Sequence, residues 1–302
     1  MGEHEIIIDR VFAPEVSAAA WSRGLAAWER GGHPGRELKH DAATLVMAAQ
    51  MAGRPVVVKR WSLDGLSKLK ASLGAGRGQR HWAGAAWLAR HKIATAPCLV
   101  LGHAADAGRR RDYLVMECLD GPTVLEVLRG ARRRDAREMP RADAGAGRDP
   151  GAPAAQFGGR AIGIREELAI ARELGRQISH MIAHGRFNRD HKPSNLIVVR
   201  RAGGMRVAVV DCVAILPLSR GGGAGQAVER MLASLVIEPL GDGVPPRRSL
   251  ALATLRAVLG LERGGGAAVR QAGKRRMRGL WMSIAARVSA HGDPTPKVKP
   301  LV

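Results

Sequence analysis

Asn188-Arg189-Asp190-His191-Lys192-Pro193-Ser194-Asn195 sets an amide five residues after a carboxylate, with a lysine between them. Alone, these residue types are ordinary turn formers, and a capped surface turn accounts for them. The flanking sequence outweighs that reading. Leu196-Ile197-Val198-Val199, a polar turn at 200–204 and Val207-Ala208-Val209-Val210 spell a hairpin that ends on Asp211. Upstream, Pro55-Val56-Val57-Val58-Lys59 reads as an apolar strand ending on a lysine, joined through a turn at Gly53 to Ala43-Thr44-Leu45-Val46-Met47. A lone lysine after a valine run is more often an edge-strand gatekeeper. Here it stands in a fixed order with the loop, the hairpin and Asp211.

From its Arg-Asp onward the loop resembles the catalytic loop of protein kinases, and the hairpin resembles the one leading from the catalytic asparagine to the metal-binding aspartate. Phosphoryl transfer needs a carboxylate near the attacking hydroxyl and, close by, oxygen ligands for the metal that bridges the phosphates. On this resemblance Asp190 orients the acceptor hydroxyl and takes its proton. Asn195 and Asp211 hold Mg2+, Lys192 neutralises charge on the transferred group, and Lys59 grips the α and β phosphates of ATP.

Three stretches narrow the likeness: Val56 to Trp61; Arg80-His81-Trp82 through Leu88 and Thr95-Ala96-Pro97 to Leu101; and Tyr113 to Gly121 joined to His184 to Val199. There the chain is similar to the lipopolysaccharide-kinase family, bacterial kinases of Kdo or core heptose sugars on the cytoplasmic side of the inner membrane. The resemblance covers most of 37–261. It implies an α+β, two-lobed protein-kinase-like fold with a small β-rich N-lobe and a mainly helical C-lobe, and a lipid-linked sugar or other hydroxyl as acceptor. It also places Glu117 and Cys118 at the hinge, where backbone groups bind adenine, with Met116 bordering the pocket.

Four departures accompany the likeness. The family keeps an acidic residue in the first helix to pair with the strand lysine, whereas the matching position here is His81, and no glutamate occurs between Lys59 and Glu117. Asn188 replaces the usual histidine before Arg-Asp. Asp211-Cys212-Val213 keeps the aspartate of Asp-Phe-Gly but not the pair that follows it, and Gly31, Gly32 and Gly35 lack the spacing of a glycine-rich phosphate loop. The alternative reading is therefore a catalytically impaired kinase-like module that binds nucleotide or a partner.

With 48 Lys and Arg against 27 Asp and Glu, the 302-residue chain carries a formal charge of +21, which favours polyanions of some kind. An anionic membrane surface is one candidate, with Arg132-Arg133-Arg134 and Lys274-Arg275-Arg276 as clusters, although single runs of this sort are usually just solvated. Nucleic acid is disfavoured, because three Phe, one Tyr and six Trp are too few for stacking platforms. Cys98, Cys118 and Cys212 lack paired spacing, and neither a secretory leader nor a bilayer-length apolar run is visible. The expectation is a cytoplasmic protein, peripheral on the inner membrane.

Along the chain, the pattern predicts an N-lobe over 1–117 and a C-lobe over 118–302. Leu66, Leu69 and Leu73, then Trp82, Ala85, Ala86 and Leu88, have helical spacing, with a break near Gly74 to Gly78. Cys98 to Leu101 and Tyr113 to Glu117 read as strands. Residues 129–163, rich in Arg, Ala, Gly and Pro, predict a disordered insert within the C-lobe. Leu168 through Ile182 predicts an amphipathic helix stopped by Gly185, and three further helical patterns follow at 227–235, 249–261 and 278–290.

Overall fold

The computed structural model describes residues 6–11, 16–31, 35–106, 109–138, 156–157, 160–201, 204–261 and 267–292. The chain divides into two compact units, Met1–Leu119 with Asp211–Ala214, and Asp120–Val210 with Ile215–Val302. The aspartate at the end of the hairpin thus belongs to the first unit, where sequence had assigned it to the second lobe.

In the first unit β1 (Ile7–Val11) and α1 (Ala18–Arg30) precede β2 (Arg36–Asp41), β3 (Thr44–Met51) and β4 (Arg54–Leu63). Then come α2 (Gly65–Ser72), α3 (Arg77–Arg90), β5 (Cys98–Asp106) and β6 (Arg109–Glu117). Among the described residues the six strands form one antiparallel sheet in the order β1-β5-β6-β4-β3-β2. A two-residue turn fixes its register. Ala52 and Gly53 both have positive φ, at 51° and 75°, the twist that suits a tight hairpin, and Met51 faces Arg54 across it. Lys59 then lies opposite Val46 on β3 and Leu114 on β6. It therefore sits on a central strand, which removes the edge-gatekeeper reading.

Side chains alternate across β4. Val56 and Val58 point to the face covered by α1, where Trp21, Leu25 and Trp28 complete a fully apolar core. Arg60, on that same face, meets Glu29 of α1 at 3.2 Å, and Tyr113 Oη donates to Glu29 at 2.9 Å. Lys59 and Trp61 point to the other face, towards α3. The helix break falls where the glycines predict it, between α2 and α3. The leucine stripe of α2 faces out, with Leu66, Leu69 and Leu73 exposed, and only Ala71 is buried in that helix.

The second unit begins with α4 (Val124–Glu138), a short hairpin of β7 (Gln156–Phe157) and β8 (Arg160–Ala161), and α5 (Ile164–Ala183). It continues with β9 (Arg186–Asn188), β10 (Leu196–Arg201), β11 (Gly204–Val209) and β12 (Ile215–Pro217), and ends with α6 (Ala224–Gly241), α7 (Arg248–Val258) and α8 (Ala267–His291). Most of the expected insert at 129–163 lies outside the described residues, but 129–138 continue α4 as helix. Arg and Ala are strong helix formers, and here propensity overrides the shortage of apolar residues.

Helix α5 is the spine of this unit. Ile170, Leu174, Ile178 and Met181 are buried along it, and Gly175 lets α7 approach so closely that a Cβ would stand 2.4 Å from the Thr254 carbonyl oxygen. Two polar residues on its buried face each find a partner, although Gln177 Oε1 has none among the described residues. Glu167 takes Arg247 at 2.9 Å, and Gln177 Nε2 donates to the Val207 carbonyl at 2.8 Å. The helix thereby anchors the β10–β11 hairpin and, through β9, delivers the chain into the loop at 189–195.

Candidate active site

Within the loop the polar side chains bond to one another. Asn188 is fully buried at the end of β9, and its Oδ1 accepts the Asp190 N–H at 3.0 Å. Asn195 Nδ2 donates to the Asp190 carboxylate at 3.0 Å and to its carbonyl at 3.1 Å. That orientation spends the amide nitrogen on Asp190 and leaves the harder oxygen as the donor atom for a cation. Lys192 Nζ stands 3.8 Å from the other Asp190 oxygen. The three expected loop residues are thus neighbours, with Asp190 and Lys192 open to solvent.

Two supports of the loop were not read from sequence. Glu238 on α6 accepts from both the Ser194 N–H at 2.8 Å and the Ser194 hydroxyl at 2.6 Å, a charge-assisted pair. A glutamate on a remote helix gave no local signal. His191 is fully buried, with neither ring nitrogen hydrogen-bonded among the described residues, and desolvation pushes its pKa down to about 3. It packs as a neutral ring between two half-buried charged residues, Asp190 and Lys192.

Beyond the loop, the Val210 N–H donates to the Asn195 carbonyl at 3.0 Å, so the end of the hairpin is tied to the asparagine immediately before the chain reaches Asp211. Asp211 is then held by different contacts. Its Oδ1 lies 3.7 Å from Nδ1 of His81 on α3. His81 is completely buried, and burial first, then the Lys59 ammonium, hold its pKa well below the usual imidazole range. The 3.7 Å spacing would fit an ion pair, but a neutral ring makes none, and neither ring nitrogen has a hydrogen-bond partner among the described residues. Lys59 also acts on the Cys98 and Cys212 thiols, whose pKa values burial raises to about 12. Lys59 and Asp211 therefore meet around one neutral imidazole.

Shape keeps the turn in place. A Cβ on Gly84 would stand 2.2 Å from the Cys212 carbonyl oxygen, so α3 packs directly against the Asp211 turn. Cys212 Sγ lies 3.3 Å from Thr95 Oγ1. At the end of β6, the Glu117 N–H donates to the Pro97 carbonyl at 2.9 Å and the Cys118 N–H to the Pro55 carbonyl at 3.2 Å. The N–H groups of both residues expected at a hinge are thus spent inside the sheet unit, and neither is free for an adenine acceptor.

The second unit also has a small, half-open apolar pocket of about 80 Å3 among α4 to α8, lined by Val127, Ile170, Leu174, Leu235, Leu250 and Ile284 among others. No motif announces it, since its walls are the inward stripes of five helices.

This chain is similar to the solved structure of WaaP in complex with acyl carrier protein, with a TM-score of 0.51 and 19% identity, over 85% of this chain and 88% of that chain. The fold is kinase-like. The antiparallel sheet unit and the helical unit are the expected α+β division of that fold. No family model matches the chain, and no curated protein matches it by sequence. No helix among the described residues is long and apolar enough to cross a membrane.

Proposed function

We propose that the protein is an ATP- and Mg2+-dependent phosphotransferase that phosphorylates a hydroxyl, with a lipopolysaccharide-core sugar, Kdo or heptose, as acceptor. The observation that carries the reading is the meeting of Lys59 and Asp211 at His81, in a kinase-like fold whose other unit holds Asp190 and Asn195 in mutual hydrogen bonds. Likeness to WaaP, a kinase, supports the coarse reaction class. The sugar rests on the family resemblance of the sequence.

In this reading Asp190 accepts the proton of the acceptor hydroxyl, and the Asn195 amide holds the carboxylate in place. Lys192 offsets charge on the group in transfer, and Lys59 orients the α and β phosphates. Asp211 and the Asn195 oxygen are a hard, oxygen-only pair of the kind Mg2+ takes alongside phosphate and water. When bound, the ion neutralises charge between the phosphates. The spent N–H groups of Glu117 and Cys118 leave adenine to their carbonyl oxygens or to a later residue.

Acyl carrier protein is the protein partner to test first, because WaaP was solved with one.

A second reading, an impaired kinase-like binder, is favoured by one observation: the residue facing Lys59 from α3 is a neutral histidine and not a carboxylate. Transfer of labelled phosphate from ATP to lipopolysaccharide-core acceptors separates the two. The enzyme reading predicts transfer that falls by about 100- to 10,000-fold in Asp190→Asn, the usual contribution of a general base. Nucleotide binding without transfer across a broad acceptor panel establishes the second reading instead.

A further inference from the structure

An open cleft of about 160 Å3 lies between α7 and α8 in the helical unit. Arg248 of α7 and Lys274 and Arg278 of α8 line it, together with Leu252, Met277 and Trp281. Lys274, Arg278 and Trp281 follow one another along one face of α8. Five other arginines of this unit are matched, Arg129 with Asp242, Arg200 with Glu166, Arg206 with Glu173, Arg247 with Glu167 and Arg287 with Glu229, but what sets the cleft apart is that its three cations line one concave surface. None of the three cleft cations has a carboxylate partner among the described residues, and α8 has no acidic residue along its 25 positions.

Three like charges gathered around one cleft repel each other until an anion enters it. The surface beside them identifies the kind of anion. Trp281 is 42% exposed and Met282 61% exposed, next to the cations on the same helix. A free phosphate would satisfy the charges and leave that apolar surface in water, and a nucleic acid would find a single indole there instead of a row of stacking platforms. A bilayer of anionic lipid satisfies both, because its headgroups carry the phosphates and its interface takes up indole and thioether groups. We propose that the α7–α8 cleft binds the phosphate of an anionic phospholipid and seats the helical unit on an anionic bilayer surface. This does not depend on the phosphotransfer reading, since it is measured without nucleotide.

Co-sedimentation of the full chain with phosphatidylcholine vesicles containing phosphatidylglycerol tests it. The variant Arg248→Gln/Lys274→Gln/Arg278→Gln should bind about 100-fold more weakly, at roughly fivefold per cation near an anionic surface. A control with the same loss of charge at the exposed Arg23, Arg30 and Arg90 should change binding only a few-fold, and equal losses in the two variants overturn the site. Vesicles should also blue-shift the tryptophan emission of wild type but not of Trp281→Phe, and a shift that survives that substitution overturns the seating. Tight binding of soluble glycerol phosphate, or loss of RNA affinity with vesicle affinity unchanged in the cleft variant, reassigns the cleft and overturns the proposal.

Discussion

The loop at 188–195 and the turn at 211–214 each carry one of the proposed metal-binding side chains, and they are held by opposite means. The loop is fixed by hydrogen bonds that Asn188 and Glu238 accept and Asn195 donates. The turn is fixed mainly by fit, since a glycine on α3 presses on the Cys212 backbone and His81 fills the space without hydrogen-bonding, with only long contacts from Thr95 Oγ1 to Cys212 Sγ at 3.3 Å and from the Val213 N–H to Asp211 Oδ1 at 3.4 Å beside it. A polar network fails when one partner loses its charge, whereas a packed contact fails when volume changes. The loop and the turn should therefore respond to different substitutions.

The largest effect should come from the network. Glu238→Ala removes two hydrogen bonds to a charged acceptor, and chemical denaturation should show a loss of about 3 kcal/mol, at about 1.5 kcal/mol or more for each bond. Ser194→Ala should cost less, since the backbone N–H keeps its partner. Next comes the packed side. Gly84→Ala should lower stability by about 2 kcal/mol through overpacking, and should weaken Mg·ATP binding disproportionately, because a backbone carbonyl, not a flexible side chain, must move. If Gly84→Ala leaves both quantities unchanged, the turn is not held by fit.

Near neutral pH a smaller effect, one that grows as pH falls, should trace to His191. Unfolded, its ring takes up a proton near 6.5; folded, it does so only near 3. The unfolded state therefore binds more protons between those values, and stability falls as pH drops below about 6.5, by up to about 1.4 kcal/mol per unit. His191→Leu should flatten that part of the stability–pH curve and change little above it. The smallest effect is expected at His81, where the ring makes no hydrogen bond to lose. His81→Leu should shift stability by less than about 1 kcal/mol. A large loss there would mean that the imidazole is a polar brace after all.

The loop, the hairpin and the strand lysine were legible in sequence because spacing alone defines them: five residues from Asp190 to Asn195, and a valine run ending at Lys59. Helix α1 was legible too but went unread, although Trp21, Leu25 and Trp28 recur at helical spacing. Glu238 and Gly84 could not be read in this way, since each matters only through a tertiary contact with a distant segment. Leu66, Leu69 and Leu73 mark the limit of periodicity. Their spacing finds a helix, but not which way it faces, and here the apolar stripe points to water.

The central claim is that Lys59 and Asp211 grip the nucleotide while Asp190 acts on the acceptor. The thermal shift induced by Mg·ATP, measured on wild type, Lys59→Ala, Asp211→Asn and Asp190→Asn, tests it most directly. The account predicts a shift that disappears in the first two variants and persists in the third. A shift of equal size in all four proteins, or none in wild type, would contradict it.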